Sequence, residues 1–288
     1  MKKIILLLAM LLASVAHATQ TVQVVWPYSI GSSQAQMIRT LLDNANKNQS
    51  KYQFLLVSKP GAAGVVAVNY VQASDTLMVL GMSTAFYTTP LGTSNKTYDV
   101  DNFKIAAHLC GKRPMAVMSK NLKSLTDKKE ITVGDSGGNI KFVAQALELT
   151  VKNSTSFLYV QYKGAPETTT DMLGGHIDIS IDWLSQTDRI DSVPGAKVLG
   201  ITGSRTINNH KPLKGLEDLT FDLFLFVPST VNDDTRKELN GIFNSNNNGA
   251  TVPFCEIDHG VVTTTPFDNL NALQSENKRK WLRLSSIK

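Results

Sequence analysis

The sequence predicts an α/β protein, because short apolar segments typical of strands alternate with amphipathic helical segments along most of its 288 residues. Met37, Leu41 and Ala45, for example, share one helical face between the first two predicted strands. Such alternation favours mostly parallel sheets flanked by helices, and the length allows one large or two medium domains. The predicted strands are rich in branched residues; they are TVQVVW (21–26), TLMVLG (76–81), ITVG (131–134), FLYVQY (157–162), IDISID (177–182), AKVLGIT (196–202) and DLFLFV (222–227).

The same 3.6-residue period predicts a helix over 142–151. Thr265 followed by Pro266 favours a helix start, and an apolar stripe runs from there to Leu284. The segment GVVAVNYV (64–71) is ambiguous, since its branched residues favour a strand while its position after a turn favours a helix. NSNNNGA (244–250) predicts a solvated loop.

The first residues, MKKIILLLAMLLASVAHA (1–18), have the pattern of a secretory signal peptide. Two lysines precede an apolar run, and the small residues Ala16 and Ala18 form a cleavage site. We expect cleavage after Ala18 and export to the periplasm. No later segment approaches the ~18 to 20 apolar residues that a membrane-spanning helix requires, so we expect a soluble mature protein.

Charge and cysteine content limit the possible functions. The chain has 29 basic and 24 acidic residues, a formal net charge of +5, and no long run of either sign. Nucleic-acid binding therefore has little support. The histidines show no metal-ligand spacing, so no metal site and no cofactor are predicted. An exported protein can form a disulfide between Cys110 and Cys255, but the sequence favours two buried thiols over this bond.

The stretch GDSGG (134–138) resembles the nucleophile loop of trypsin-like proteases. His108 and Ser136 are only 28 positions apart, however, whereas the trypsin arrangement places about 140 residues between its histidine and its serine. A segment this short cannot hold the intervening barrel. The sequence thus disfavours a trypsin-like protease.

A second hydrolase arrangement remains open. Gly134 and Gly138 flank Ser136 with the spacing of the G-x-S-x-G motif of α/β-hydrolases. Such an enzyme also needs an acid and then a histidine later in the chain. Asp182, with His210 or His259, has the required order, although no local motif surrounds any of them. An exported serine hydrolase using Ser136 is therefore kept as an alternative function.

Two Gly/Ser loops each join a predicted strand to a predicted helix, WPYSIGSS (26–33) and DSGGN (135–139). A helix N-terminus offers unpaired backbone N–H groups and the positive end of the helix dipole, which attract anions. Facing one another, the two loops could hold a carboxylate through amides and hydroxyls, without a buried lysine or arginine. The alternative is that both loops are ordinary connections that cap helices.

Two longer stretches, SKPGAAGVVAVNYV (58–71) and VQYKGAPETTTDMLGGHIDISID (160–182), resemble motifs of the Bug family, the solute receptors of tripartite tricarboxylate transporters. The resemblance implies a two-lobed, type II periplasmic-binding-protein-like fold with the ligand in a cleft between the lobes. The signal peptide would occupy 1–18, lobe one would comprise 19–113 and 225–288, and lobe two would comprise 114–224.

The resemblance also implies a function and a site. It implies a monomeric, non-enzymatic receptor that captures a small organic carboxylate and delivers it to integral-membrane transporter subunits; a receptor serving a sensor kinase is a further alternative. Family members hold the carboxylate with the two Gly/Ser loops. The positions that correspond to their ligand-binding residues are Tyr28, Ser29, Gly31, Ser32, Ser33, Ser83, Thr84, Ser136, Gly137, Gly138, Asn139 and Asp182.

The first loop departs from the family pattern in a way that bears on the ligand. Ser32 replaces the second glycine, and Ala35 occupies a position that is usually acidic in the family. A missing carboxylate removes a natural partner for a ligand's ammonium group. The hypothesis is therefore that the ligand is a carboxylate without an amine.

Overall fold

A computed structural model describes residues 19–92, 97–120, 128–150, 156–247 and 255–286. The predicted signal peptide (1–18) lies outside these residues. The predicted α/β class is confirmed, and helices pack on both sheets of the molecule. Within the described ranges, no helix is both long and apolar enough to cross a membrane.

The first sheet has six strands, in the order β11-β4-β10-β3-β1-β2. Strands β1, β2 and β3 pair in parallel, whereas β4, β10 and β11 pair antiparallel to their neighbours. The strands are β1 (Gln20–Trp26), β2 (Tyr52–Ser58), β3 (Met78–Ser83), β4 (Phe103–Arg113), β10 (Phe221–Pro228) and β11 (Val261–Val262).

The second sheet consists of two groups of strands, β8-β5-β9 and β6-β7. A parallel bridge between Val133 and Ile179 joins the groups, and the Gly134 N–H donates to the Ile179 carbonyl at 3.0 Å. The strands are β5 (Met115–Ser119), β6 (Glu130–Asp135), β7 (Ser156–Gln161), β8 (Ser180–Trp183) and β9 (Lys197–Ile201).

The helices cover the sheets with the apolar faces that the sequence predicts. Met37, Leu41 and Ala45 of α1 are fully or almost fully buried. The ambiguous segment 64–71 is helical from Val65 onward. The helices are α1 (Ser33–Asn48), α2 (Val65–Gln72), α3 (Ala85–Leu91), α4 (Gly138–Thr150), α5 (Ala165–Gly174), α6 (Thr187–Asp191), α7 (Asp233–Asn246) and α8 (Leu270–Ser285).

Both sheets are mixed, which corrects the expectation of mostly parallel sheets. The reason is that β4 carries the chain from the first sheet to the second and β10 brings it back, so that β10 runs antiparallel to both β4 and β3. Four strands are not among those that the apolar runs predict: β2, β4, β5 and the two-residue β11. The division into lobes at 113/114 and 224/225 stays a prediction; β10 belongs to the first sheet from Phe221 onward.

The cysteine question is resolved by the structure, which contains a disulfide between Cys110 and Cys255 with a Cα–Cα distance of 5.9 Å. Both residues are fully buried in the core of the first sheet. The bond ties β4 to the segment 255–260, which precedes β11. Every residue of the second sheet lies between the two cysteines in the sequence, so the bond closes a loop around that entire sheet.

Candidate functional site

A cavity lies where the carboxyl ends of strands from the two sheets meet, the place where open α/β folds bind ligands. It encloses about 650 Å³ of empty space, counted with its open mouth. Its walls combine apolar rings with hydroxyl, amide and glycine groups. The lining residues are Trp26, Tyr28, Ser29, Gly31, Ser32, Gln34, Ser83, Met115, Ser136, Gly137, Asn139, Ile140, Gly164, Pro166, Asp182, Trp183 and Gln186.

The loop after β1 supplies one side of the cavity. Ser32 is the N-cap of α1, and its Oγ accepts a hydrogen bond from the Ala35 N–H at 3.2 Å. The Ser29 hydroxyl donates to Glu167 of α5 at 2.8 Å, so this loop also contacts the opposite side. Burial raises the pKa of the Tyr28 phenol, which therefore remains a protonated hydrogen-bond donor.

The loop after β6 supplies the other side. The Gly137 N–H donates to the Asp135 carboxylate at 2.8 Å, which fixes the turn into α4. The Asn139 amide donates to the Ser83 hydroxyl at the end of β3 at 2.9 Å. The two Gly/Ser loops therefore lie around one cavity. The helices that begin there, α1 and α4, direct the positive ends of their dipoles toward it, which favours an anionic ligand.

Gly137 allows the loop after β6 to approach Ala63, which precedes α2 on the side of the first sheet. Its φ of +119° is rarely adopted by residues with a side chain, and a Cβ here would lie 2.8 Å from the Ala63 Cα. We expect Gly137→Ala to weaken ligand binding at least tenfold, about 1.4 kcal/mol, because the added methyl group forces the loop away from Ala63. Isothermal titration calorimetry measures the change.

Gly241 provides the matched control for this prediction. It lies in α7, and a Cβ there would contact nothing within 4 Å. Gly241→Ala is expected to leave ligand affinity unchanged and to stabilise the helix by up to about 1 kcal/mol. Wild-type affinity in Gly137→Ala would show that the close approach of this loop to Ala63 is unimportant for binding.

A buried ion pair, which was not predicted from the sequence, lies behind the cavity wall. An Arg113 Nη atom lies 3.1 Å from an Asp258 carboxylate oxygen, and each side chain is only 1% exposed. The Arg113 guanidinium stacks 3.6 Å from the centre of the Trp183 ring. With its amide oriented to satisfy its neighbours, the Gln34 oxygen accepts from Arg113 and from the Trp183 ring N–H.

The sequence predicts that the site holds a carboxylate without a buried lysine or arginine. The ion pair places one buried arginine behind the cavity wall, although not in its described lining. Among the described residues that line the cavity there is no lysine or arginine. Arg113, however, contacts two lining residues, Gln34 and Trp183, from behind. Its partner Asp258 is 145 positions away, and a pairing so distant leaves no signal in a single sequence.

Asp182, at the end of β8, is the buried acidic group of the cavity wall. One of its oxygens accepts from the Trp183 N–H at 2.7 Å, and the other accepts from the Thr169 hydroxyl at 3.4 Å. Burial raises the pKa of Asp182 to about 7, and the nearby Asp258 carboxylate acts in the same direction. Hydrogen bonds and Arg113 only partly offset this rise.

Most of the predicted site residues lie around the cavity, although their contact with a ligand stays a prediction. Two do not line it. The backbone and hydroxyl of Thr84 hydrogen-bond to the backbone of Asp222, and Gly138 packs against α3, where a Cβ would lie 2.6 Å from the Thr89 hydroxyl. Ser33 begins α1, and its predicted contact lies outside what the structure describes of that side chain. Those that do line the cavity are Tyr28, Ser29, Gly31, Ser32, Ser83, Ser136, Gly137, Asn139 and Asp182.

Other lining residues were not predicted as ligand contacts. Gly164 of the YKG motif faces Ser29, with room for no side chain, since a Cβ would lie 2.9 Å from the Ser29 Oγ. Gly164, within the quoted stretch 160–182, could therefore have been predicted from the sequence as a cavity residue. The Tyr162 hydroxyl donates to Asp171 of α5 at 2.7 Å.

The described lining of the cavity does not provide the histidine that the serine-hydrolase alternative requires. Ser136 lines it, but no histidine is among the lining residues that the structure describes. His210 pairs with Asp191 at 3.2 Å, and His259 lies beside Asn208. Among the described residues, no cluster of three or more His, Cys, Asp or Glu side chains could hold a metal ion.

Comparisons with known proteins agree with this architecture. No family model matches the sequence. A curated protein of Cupriavidus necator, "UPF0065 protein in gbd 5'region", is 25% identical over 168 residues, which cover 54% of this chain and 51% of that protein. The chain thus aligns with about half the length of this relative.

Solved structures match over nearly the whole chain. The periplasmic binding protein BugD superimposes with a TM-score of 0.78 at 19% identity, covering 93% of this chain and 96% of BugD. MatC from Rhodopseudomonas palustris with bound malate gives 0.76 at 15% identity, covering 93% and 99%. An R. palustris protein with adipate gives 0.75 at 15% identity, covering 93% and 96%. The chain therefore has the fold of the periplasmic solute-binding proteins, as its motif resemblance to the Bug receptors predicts.

Proposed function

We propose that this protein is a periplasmic solute receptor of the Bug type. It captures a small organic carboxylate in the cavity between the two sheets and delivers it to the membrane subunits of a tripartite tricarboxylate-type transporter. The signal-peptide pattern of residues 1–18 supports export, and the likeness to periplasmic binding proteins supports the same compartment.

The observation that carries this proposal is the convergence of two helix N-termini on one cavity. The N-cap Ser32 of α1 and the first turn of α4, with Asn139, both line it. Backbone amides and hydroxyls there can neutralise a carboxylate without a lining cation. Malate and adipate occur in two of the similar structures, which supports a dicarboxylate as the ligand class.

The ligand is further proposed to lack an amine. Ala35 is only 1% exposed and offers no charge to an ammonium group. Asp182 is the acidic side chain that lines the cavity within the described residues, and its raised pKa makes it a weak partner for a cation. Glutamate or aspartate binding far more tightly than every amine-free dicarboxylate would contradict this part of the proposal.

Calorimetric titration of the mature protein with malate, succinate, adipate, glutamate and aspartate tests the function. We expect at least one amine-free dicarboxylate to bind with a 1:1 stoichiometry and to raise the melting temperature, since a ligand that binds only the folded state stabilises it. The absence of binding by every carboxylate would overturn the proposal.

Replacing Ser136 with alanine separates a receptor from a hydrolase. We expect Ser136→Ala to weaken carboxylate binding about fivefold, the effect of losing one hydrogen bond of about 1 kcal/mol. A hydrolase would instead lose turnover by several orders of magnitude. Parallel calorimetry and p-nitrophenyl acetate hydrolysis distinguish the two, and wild-type turnover that disappears in Ser136→Ala would favour the enzyme.

A further inference from the structure

Asp182 occupies an unusual position for a receptor of anions. Its carboxyl group lies on the wall of the cavity, and the residue is only 3% exposed. Its two oxygens accept hydrogen bonds from the Trp183 N–H and the Thr169 hydroxyl. Thr169 belongs to α5, so the carboxyl group is held from two elements and does not depend on a mobile side chain.

The charges around Asp182 do not compensate an ionised carboxylate. The charged groups that act on it are Arg113 at the end of β4 and Asp258 of the segment 255–260. Arg113 pairs directly with Asp258 at 3.1 Å. Asp222 of β10 also acts on Arg113. Two buried carboxylates, Asp182 and Asp258, therefore share one guanidinium, and α5 contributes only the Thr169 hydroxyl to the balance.

An anionic ligand makes this imbalance larger. The described part of the cavity lining contains no lysine or arginine, so a carboxylate entering it would face an ionised Asp182 with no intervening cation. Two carboxylates sharing a buried site cannot both remain ionised without a large cost. A protonated Asp182 has the opposite effect, because its O–H becomes a hydrogen-bond donor.

On the basis of the proposed function, we infer that Asp182 binds the ligand in its protonated form and donates a hydrogen bond to the ligand's carboxylate, so that capture is coupled to uptake of a proton. The proton comes from solvent whenever Asp182 is ionised in the empty receptor. It stays on the Asp182 carboxyl group in the complex, and no bond of the ligand changes.

Burial also raises the pKa of Asp182 to about 7 in the empty receptor. A hydrogen-bonded carboxylate ligand favours the neutral form further, so the pKa rises again on binding. The carboxyl groups of free dicarboxylates are essentially fully ionised above about pH 7, so a change in affinity above that pH reports on the receptor. Affinity is therefore expected to fall above pH 7, approaching tenfold per pH unit.

The raised pKa of Asp182 also affects the stability of the empty receptor. Because the folded-state pKa of Asp182 exceeds its unfolded value, the folded state binds more protons between about pH 4 and pH 7. This group therefore contributes stability that declines as the pH rises through that window. Asp182→Asn removes this contribution. The melting temperature of Asp182→Asn should therefore increase relative to that of wild type as the pH rises from 5 to 8.

The experiment measures proton uptake on ligand binding, alongside the melting temperatures described above. Titrations of wild type with malate, succinate or adipate are run at pH 8 in phosphate and in Tris, whose different ionisation enthalpies reveal the number of protons taken up. We expect about 0.5 to 1 proton per ligand for wild type and none for Asp182→Asn. Asp182→Asn keeps a side-chain donor, and we expect it to bind at pH 8 at least as tightly as wild type.

Glu167→Gln is the matched control, because it neutralises an exposed carboxylate that contacts the lining residue Ser29 while keeping an acceptor for the Ser29 hydroxyl. It should retain the proton uptake. Ligand binding without proton uptake would overturn this inference and leave the proposed function intact. Binding by no carboxylate at any pH would overturn both, and a pH-independent melting difference between Asp182→Asn and wild type would overturn the inference without any ligand.

Discussion

Replacing Cys110 and Cys255 with alanine is expected to lower the free energy of unfolding by about 2 to 5 kcal/mol. The disulfide joins residues separated by 145 positions, and cross-linking so long a loop removes many conformations from the unfolded chain. Both cysteines are fully buried, so some lost packing adds to the effect. Urea denaturation followed by tryptophan fluorescence measures the change.

Reduction of the wild-type protein separates the cross-link from the packing. With dithiothreitol present, wild type is expected to unfold at a lower urea concentration than the oxidised protein, whereas the double alanine variant should be insensitive to the reagent. Equal unfolding midpoints for reduced and oxidised wild type would show that the bond contributes nothing to stability.

Local features of this protein were predictable from its sequence because the signals that determine them are local. The helix α1 follows from the spacing of Met37, Leu41 and Ala45, all of which are buried. Its beginning follows from Ser32, whose hydroxyl caps it. The two Gly/Ser loops were predicted for the same reason, since a strand, a turn of small residues and a helix follow each other directly in the chain.

There is a physical reason why the sequence does not predict strand β4. Strand β4 is buried along almost its whole length, because it lies between β10 and β11 with core on both faces. A strand buried on both faces shows no alternation of polar and apolar residues. Polar residues such as His108 and Lys104 also interrupt its apolar run. Neither signal of a strand is therefore present in FKIAAHLCGKR.

The part of the candidate site that could not be predicted depends on contacts between distant residues. The sequence indicates that Asp182 ends a strand, but not that Asp258, 76 positions later, lies beside the same arginine. The disulfide explains how the segment reaches this place, because Cys255 is fixed to β4 three residues before Asp258. Gly260 contacts the Arg113 side chain and both sulfur atoms closely and leaves no room for a Cβ.

Removing the Asp258 carboxylate is expected to cost about 3 to 5 kcal/mol of stability, because Asp258→Ala leaves Arg113 buried without its direct partner. Replacing both residues, as in Arg113→Met with Asp258→Leu, removes the uncompensated charge and should recover most of the loss. Chemical denaturation of both single variants and of the double variant gives the coupling energy.

Asp101→Ala is the matched control for Asp258→Ala. Asp101 pairs with Lys278 at 2.6 Å, but the two side chains are 64% and 39% exposed, so its loss should cost less than about 1 kcal/mol. Equal effects of the two substitutions would contradict a special role for the buried pair.

Asp258→Ala should also weaken carboxylate binding near pH 7, because removing Asp258 lowers the pKa of Asp182 and leaves a larger fraction of Asp182 ionised. Stability and ligand capture are thus connected through the single guanidinium of Arg113, which stabilises one buried carboxylate and leaves the other available to accept a proton.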